Sequence, residues 1–197
     1  INSDIELSLD YKNVYSLHLE IDEETQFLES IHLLCKKSTH SHFYYNLTKL
    51  FQHFRYLQTL TLNCVYGDML IELPNIVENF IHLRYLNLVN YRGEVLFEII
   101  CNLCNLQSLD VSNCGKLEKL PKGIRKLINL RHLLLCNEIE SIIKSFPKGI
   151  GRLTCLKTLT YFPVGGKGEE ICKLGELEHL NHIQGKLQIF GLNNVVD

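Results

Sequence analysis

Residues 117–135 read Leu-Glu-Lys-Leu-Pro-Lys-Gly-Ile-Arg-Lys-Leu-Ile-Asn-Leu-Arg-His-Leu-Leu-Leu. Counted from Pro121, apolar side chains stand at offsets +3, +6, +9, +12 and +14: Ile124, Leu127, Leu130, Leu133 and Leu135. Steps of three suit a short helix or 3₁₀ turns, in which every third side chain falls on one line. The closing step of two suits a strand, in which alternate side chains share a face. The stretch therefore predicts a helical return segment that runs into a short strand.

The same frame recurs outward in both directions. After Pro74 it gives Val77, Phe80, Leu83, Leu86 and Leu88; after Pro147 it gives Ile150, Leu153, Leu156, Leu159 and Tyr161. Two copies keep the frame without proline. Phe97 is followed by Ile100, Leu103, Leu106, Leu109 and Val111, and Thr48 by Phe51, Phe54, Leu57, Leu60 and Leu62. The five anchors lie 26, 23, 24 and 26 residues apart, and all twenty-five offset positions are apolar in a chain that is 46% hydrophobic. A period of this length with this spacing is that of a leucine-rich repeat.

The expected fold class is α/β: a leucine-rich-repeat solenoid, a curved horseshoe with a parallel β-sheet on its concave face. Short helices or 3₁₀ turns and loops form the convex face. One repeat cannot bury its own leucines, so each coil is stable only when stacked on its neighbours. Residues 47–197 form the array, with about five regular repeats and a degenerate last one at Leu177, Leu180, Ile183, Leu187 and Ile189. Residues 1–46 form an irregular N-terminal cap: Val14, Leu17 and Leu19 suggest a strand, but Leu28, Ile31 and Leu33 follow too soon for a full repeat. Gly165–Gly168 reads as a loop.

Within each strand, the residues between the leucines face the opposite way and line the concave surface. The candidate protein-binding residues are Thr61, Tyr85, Asn87, Ser108, Asp110, His132, Leu134, Thr158, Thr160, Phe162 and Gln188. They are mixed polar and aromatic side chains on a rigid support, a composition suited to recognising a protein surface. Leu134, Phe162 and Phe190 add an exposed apolar component to that expectation.

Composition narrows the alternatives. With 20 Lys+Arg against 22 Asp+Glu the net charge is −2, which gives no basic excess for non-specific nucleic-acid binding. The longest charge-free stretch near the middle, Ile99 to Leu109, is far shorter than a membrane span, and no basic-then-apolar leader opens the chain. The first residue is not Met, which suits a piece of a longer protein. Eight cysteines spread along the chain suit small apolar core residues in a reducing compartment.

No chemistry-bearing motif stands up. Cys101-x-x-Cys104 brackets a repeat leucine, lacks a second pair and reads as structural thiols. Cys114 lies three residues past Val111, where the repeat takes Asn or Cys to fill the turn after the strand. Cys35, His40 and His42 lack a fourth zinc ligand, and Gly165–Gly168 lacks a phosphate-loop pattern. Asn46-Leu47-Thr48 is a lone sequon. Lys116, Lys119, Lys122, Arg125 and Lys126 form a basic outer face, read as solvated surface. No catalytic, cofactor-binding or metal residues are assigned, and the chain is not expected to be an enzyme.

At Leu106-Gln-Ser-Leu-Asp-Val-Ser-Asn-Cys114 followed by residues 117–133, the chain resembles plant intracellular immune receptors of the nucleotide-binding leucine-rich-repeat class. Residues 177–195, Leu-Glu-His-Leu-Asn-His-Ile-Gln-Gly-Lys-Leu-Gln-Ile-Phe-Gly-Leu-Asn-Asn-Val, resemble the coiled-coil-type members close to the blight-resistance analogues. The Asn/Gly/Ile-Pro signature of plant cell-surface repeats is missing. The resemblance implies a cytoplasmic module that binds a pathogen effector or a guarded host protein and packs on a nucleotide-binding module. It implies no cofactor in this chain: ADP or ATP belongs to a module whose motifs are absent here. The alternative is a substrate adaptor of a ubiquitin ligase, although residues 1–46 do not resemble an F-box. An extracellular receptor fragment would need paired cysteines at the array ends.

Overall fold

The computed structural model describes residues 16–20, 57–63, 75–89, 91–135, 143–165, 168 and 170–195. Six strands pair in parallel in chain order: β1 (Ser16–Glu20), β2 (Thr59–Asn63), β3 (Tyr85–Val89), β4 (Ser108–Asn113), β5 (His132–Leu135) and β6 (Thr158–Leu159). Register brings Leu17, Leu60, Leu86, Leu109, Leu133 and Leu159 into one row. From Leu60 to Leu159 the members of that row are at most 1% exposed. Leu62, Leu88, Val111 and Leu135 are buried behind it. Each such leucine contributes roughly 1.5–3 kcal/mol on burial, and neighbouring coils supply the surface that buries it.

The return segments are 3₁₀ turns at Asn75–Asn79, Glu98–Asn102, Lys122–Lys126, Ile150–Arg152 and Leu174–His179. Their bonds explain the step of three. The Leu127 N–H donates to the Ile124 carbonyl (3.0 Å) and the Leu130 N–H to the Leu127 carbonyl (2.9 Å), so successive core residues close successive i to i+3 turns. Leu103 and Leu106 repeat this, as do Leu153 and Leu156. Among the described residues no return segment is an α-helix. Pro121 precedes its turn with φ −65° in extended backbone, where no ladder donor is lost.

Side chains also tie coil to coil. Asn105 Nδ2 donates to the Ile81 carbonyl (2.6 Å) and Asn129 Nδ2 to the Cys104 carbonyl (2.9 Å), one repeat back in each case. Glu98 accepts the Gly123 N–H at 2.8 Å. Glu176 accepts the N–H of both Gly149 and Gly151 at 2.9 Å. The asparagines satisfy turn carbonyls, and the glutamates satisfy turn N–H groups, that short 3₁₀ segments leave open. Cys114 is buried where the repeat frame puts it, and its thiol donates to the Leu88 carbonyl (3.1 Å).

Two departures from the regular frame matter for the surface. In β4 the pairing passes from Asn87↔Asp110 to Val89↔Asn113, so one extra residue bulges out. Asp110 Oδ1 stabilises the bend by accepting both the N–H (3.0 Å) and the hydroxyl (2.6 Å) of Ser112. After Leu159 the chain leaves the six-stranded sheet. β7 (Tyr161–Pro163) pairs instead with β8 (Gln188–Phe190) in a separate parallel pair.

That second departure corrects the sequence reading at Phe162. An exposed concave side chain was expected there, but Phe162 is 0% exposed. Its ring packs edge-on against Phe146 at 5.4 Å, and Tyr161 packs on Phe146 at 6.1 Å and on Phe190 at 5.3 Å. With Tyr instead of Leu at the last core offset, three aromatic rings fill the space and the backbone turns to admit Phe162.

In the Cys101-x-x-Cys104 pair both thiols are free; Cys101 is buried and Cys104 is exposed. The expectations for Leu28–Leu33, Cys35, His40, His42 and Asn46 lie outside the described residues, as do Gly166 and Lys167 of the glycine-rich loop. Only β1 is described within residues 1–46.

Candidate strand-face binding site

Alternation in β2–β5 places two rows of half-buried side chains opposite the core. Register aligns Thr59, Tyr85, Ser108, His132 and Thr158 in the first row, and Thr61, Asn87, Asp110 and Leu134 in the second. Parallel strands stand about 4.8 Å apart, so neighbours in a row lie within side-chain reach of one another.

The rows are internally organised. His132 Nδ1 and the Thr158 hydroxyl share a hydrogen bond of 3.0 Å, which fixes the imidazole's orientation. Burial pushes the Tyr85 pKa up, and the Asp110 carboxylate adds to the rise. A side-chain hydrogen bond with Asn87 partly opposes it. The Tyr85 phenol therefore stays protonated and can donate to a ligand acceptor. Asn87 Oδ1 is buried without a hydrogen-bond partner among the described residues, an arrangement that costs about 1–3 kcal/mol. This unspent acceptor lies on the strand of Tyr85 and in register with Asp110, where a ligand donor can satisfy it.

Eight of the eleven sequence-derived candidates come together on this one sheet: Thr61, Tyr85, Asn87, Ser108, Asp110, His132, Leu134 and Thr158. Three do not join them as expected. Thr160 lies beyond β6, and its hydroxyl is committed to the backbone of Leu135, whose N–H it accepts (3.0 Å) and whose carbonyl it engages (3.2 Å). Gln188 sits half-buried on β8, in the separate pair, and its backbone N–H donates to the Thr160 carbonyl (3.2 Å). Phe162 is in the core.

The inter-coil asparagines Asn105 and Asn129 and the turn-binding Glu98 and Glu176 escaped the sequence reading. The two asparagines share offset +8 in the frame, a periodicity that a residue-by-residue search of the polar positions exposes. Nothing comparable marks Glu98 and Glu176, which occupy different offsets and act in opposite chain directions. Among the described residues no group of three His, Cys, Asp or Glu side chains is placed to hold a metal ion. No helix among them is long and apolar enough to cross a membrane.

A family described as "Leucine-rich repeat region" matches residues 28–194. This chain belongs to the leucine-rich-repeat family. The relatives of this leucine-rich-repeat chain are plant disease resistance proteins. It is 31% identical to Disease resistance RPP13-like protein 4 of Arabidopsis thaliana over 71% of its own length and 16% of that protein's. It is 42% identical to Putative disease resistance protein RGA4 of Solanum bulbocastanum over 62% of its own length and 14% of that protein's. The chain thus spans about a sixth or less of the relatives it matches. Among solved structures, a leucine-rich-repeat protein of Leptospira interrogans superposes with a TM-score of 0.51 at 25% identity, covering 69% of this chain and 38% of that one.

Proposed function

We propose that this chain is the protein-recognition module of a plant immune receptor, binding a pathogen effector or a guarded host protein through the strand face. The observation that supports this reading is the pair of in-register rows from Tyr85 to Thr158, which presents aromatic, hydroxyl, carboxylate, imidazole and aliphatic groups on one rigid sheet. The plant disease resistance relatives supply the biological setting. In this reading the module works in the cytoplasm, binds rather than catalyses, and carries no cofactor of its own. It regulates the receptor by packing on a nucleotide-binding module, to which ADP or ATP would belong.

The test is affinity capture from plant extract with the wild-type chain beside a variant carrying Y85A, D110N, H132A and L134S. A partner lost by the variant while its thermal melt is unchanged is the expected result. Equal recovery of every partner argues against recognition through the strand face. Recovery of ubiquitin-ligase subunits by both proteins points to the adaptor reading instead.

A further inference from the structure

Beside the strand face, on the edge where the chain enters each strand, runs a second ordered line of side chains. It is built by one backbone rule: the residue preceding each strand accepts an N–H from its counterpart one coil later. Arg84 donates to Gln58 (2.8 Å), Gln107 to Arg84 (2.8 Å), Arg131 to Gln107 (2.7 Å) and Lys157 to Arg131 (2.7 Å). The rule fixes these residues at one strand spacing, so about 10 Å separates Arg84 from Arg131 and about 5 Å separates Arg131 from Lys157.

We propose that this edge is a binding site for an acidic, extended segment of a partner protein. Arg84, Arg131 and Lys157 form no ion pair among the described residues, unlike Lys144, which pairs with Glu118 at 3.0 Å. The surrounding stretches 81–85, 104–108, 128–132 and 154–158 contain no Asp or Glu at all. Three cations are therefore held in line without a counter-charge, and an anionic partner relieves their mutual repulsion.

A groove of about 250 Å3 lies at the start of this edge, lined by Ile81, His82, Arg84, Asn105, Gln107 and Asn129. Asn105 and Asn129 each commit one Nδ2 hydrogen to the preceding coil, which fixes the orientation of the amide. Each side-chain carbonyl oxygen can accept a backbone N–H of an incoming chain, and the second Nδ2 hydrogen can donate to one of its carbonyls. Ile81, 56% exposed, lines the groove with apolar surface, and Ile128, 53% exposed, holds the same frame offset two coils later. Guanidinium donors, amide acceptors and isolated isoleucines together suit a polypeptide better than a phosphate backbone, which would leave the acceptors and isoleucines unused. In a segment of polyproline II geometry, carboxylates three residues apart share a face and stand about 9 Å apart, close to the separation of Arg84 and Arg131.

The site goes beyond the strand-face reading and stands apart from it, because separate substitutions report on each. The probe is a fluorescent (Glu-Ala-Ser)4 peptide titrated with the 197-residue chain, beside its (Lys-Ala-Ser)4 counterpart and a dT12 oligonucleotide. The acidic peptide is expected to bind with salt-sensitive affinity and the basic one not to bind. R84E/R131E/K157E is expected to weaken binding about tenfold or more, and the milder R84Q/R131Q/K157Q reads the same loss if charge reversal lowers the melting temperature. K116Q/K122Q/K148Q removes equal charge from the return side and should leave affinity within about twofold. An equal loss in that control, tighter binding of dT12, or no effect of the edge variants overturns the proposal.

Discussion

The Thr160 hydroxyl replaces a rung of the sheet: it accepts the Leu135 N–H at 3.0 Å and engages the Leu135 carbonyl at 3.2 Å. β6 ends at Leu159, so no backbone group of the next coil reaches Leu135 there. Thr160 stands where the parallel sheet stops and the chain diverts into β7. Its side chain is thus structural, although it occupies a position that elsewhere faces outward. Thr160→Val keeps the shape and removes both bonds, and should cost about 2 kcal/mol. Thr160→Ser should stay within about 1 kcal/mol of wild type. Urea unfolding with an unchanged m-value measures both.

Leu109 sits in the middle of the core row, flanked in register by Leu86 and Leu133 and fully buried. Leu109→Ala should lose about 2–5 kcal/mol, whereas Ser108→Ala, one residue away on the outward face, should change stability by no more than about 0.5 kcal/mol. Thermal melts of the two variants compare the faces directly. Equal losses would mean that the alternation is misassigned.

Gly151 permits the approach of the last return turn. A Cβ there would lie 2.8 Å from the Glu176 carbonyl oxygen and 3.2 Å from its Cβ, while the Gly151 N–H is held by the Glu176 carboxylate at 2.9 Å. Gly151→Ala should therefore destabilise by about 1–3 kcal/mol. Gly175→Ala, where an added Cβ meets nothing within 4 Å, should not destabilise through packing. Chemical denaturation of both variants checks the contrast.

The buried thiols predict an alkaline limit. Burial, reinforced by Glu98 and partly offset by Lys126, pushes the Cys101 pKa up from 9.0 to about 12. Burial and Glu176 raise that of Cys172 as well. Both thiols stay protonated in the folded chain after they would ionise in the unfolded one. Their contribution is thus whole below pH 9 and is lost as pH rises from 9 towards 12. Stability measured across that window should fall, and the fall should be shallower in Cys101→Ala. With a thiol reagent at pH 8, the exposed Cys104 and Cys155 should react quickly and Cys101, Cys114 and Cys172 only on unfolding. Replacing Cys104 and Cys155 by Ser should remove two equivalents from the fast phase.

The regular coils were legible because their period is enforced by packing. Every leucine in the row from Leu60 to Leu159 needs its counterparts one coil away, so the spacing carries the fold in plain view. Steps of three foretold the 3₁₀ turns for the same reason. Phe162 and Thr160 were not legible, because Thr-Leu-Thr-Tyr-Phe has the same alternation as a regular strand. What redirects it is the long-range stacking of Phe146, Tyr161 and Phe190, which no local pattern contains. The edge formed by Arg84, Gln107, Arg131 and Lys157 was hidden differently: its residue types vary, and only the shared backbone bond identifies the position.

Amide hydrogen exchange of the chain, alone and with a partner recovered by affinity capture, tests recognition by the strand face most directly. The account predicts added protection in peptides covering 59–63, 85–89, 108–113 and 132–135. Protection confined to the return turns at 75–79, 98–102 and 122–126, with those strands unchanged, would contradict it.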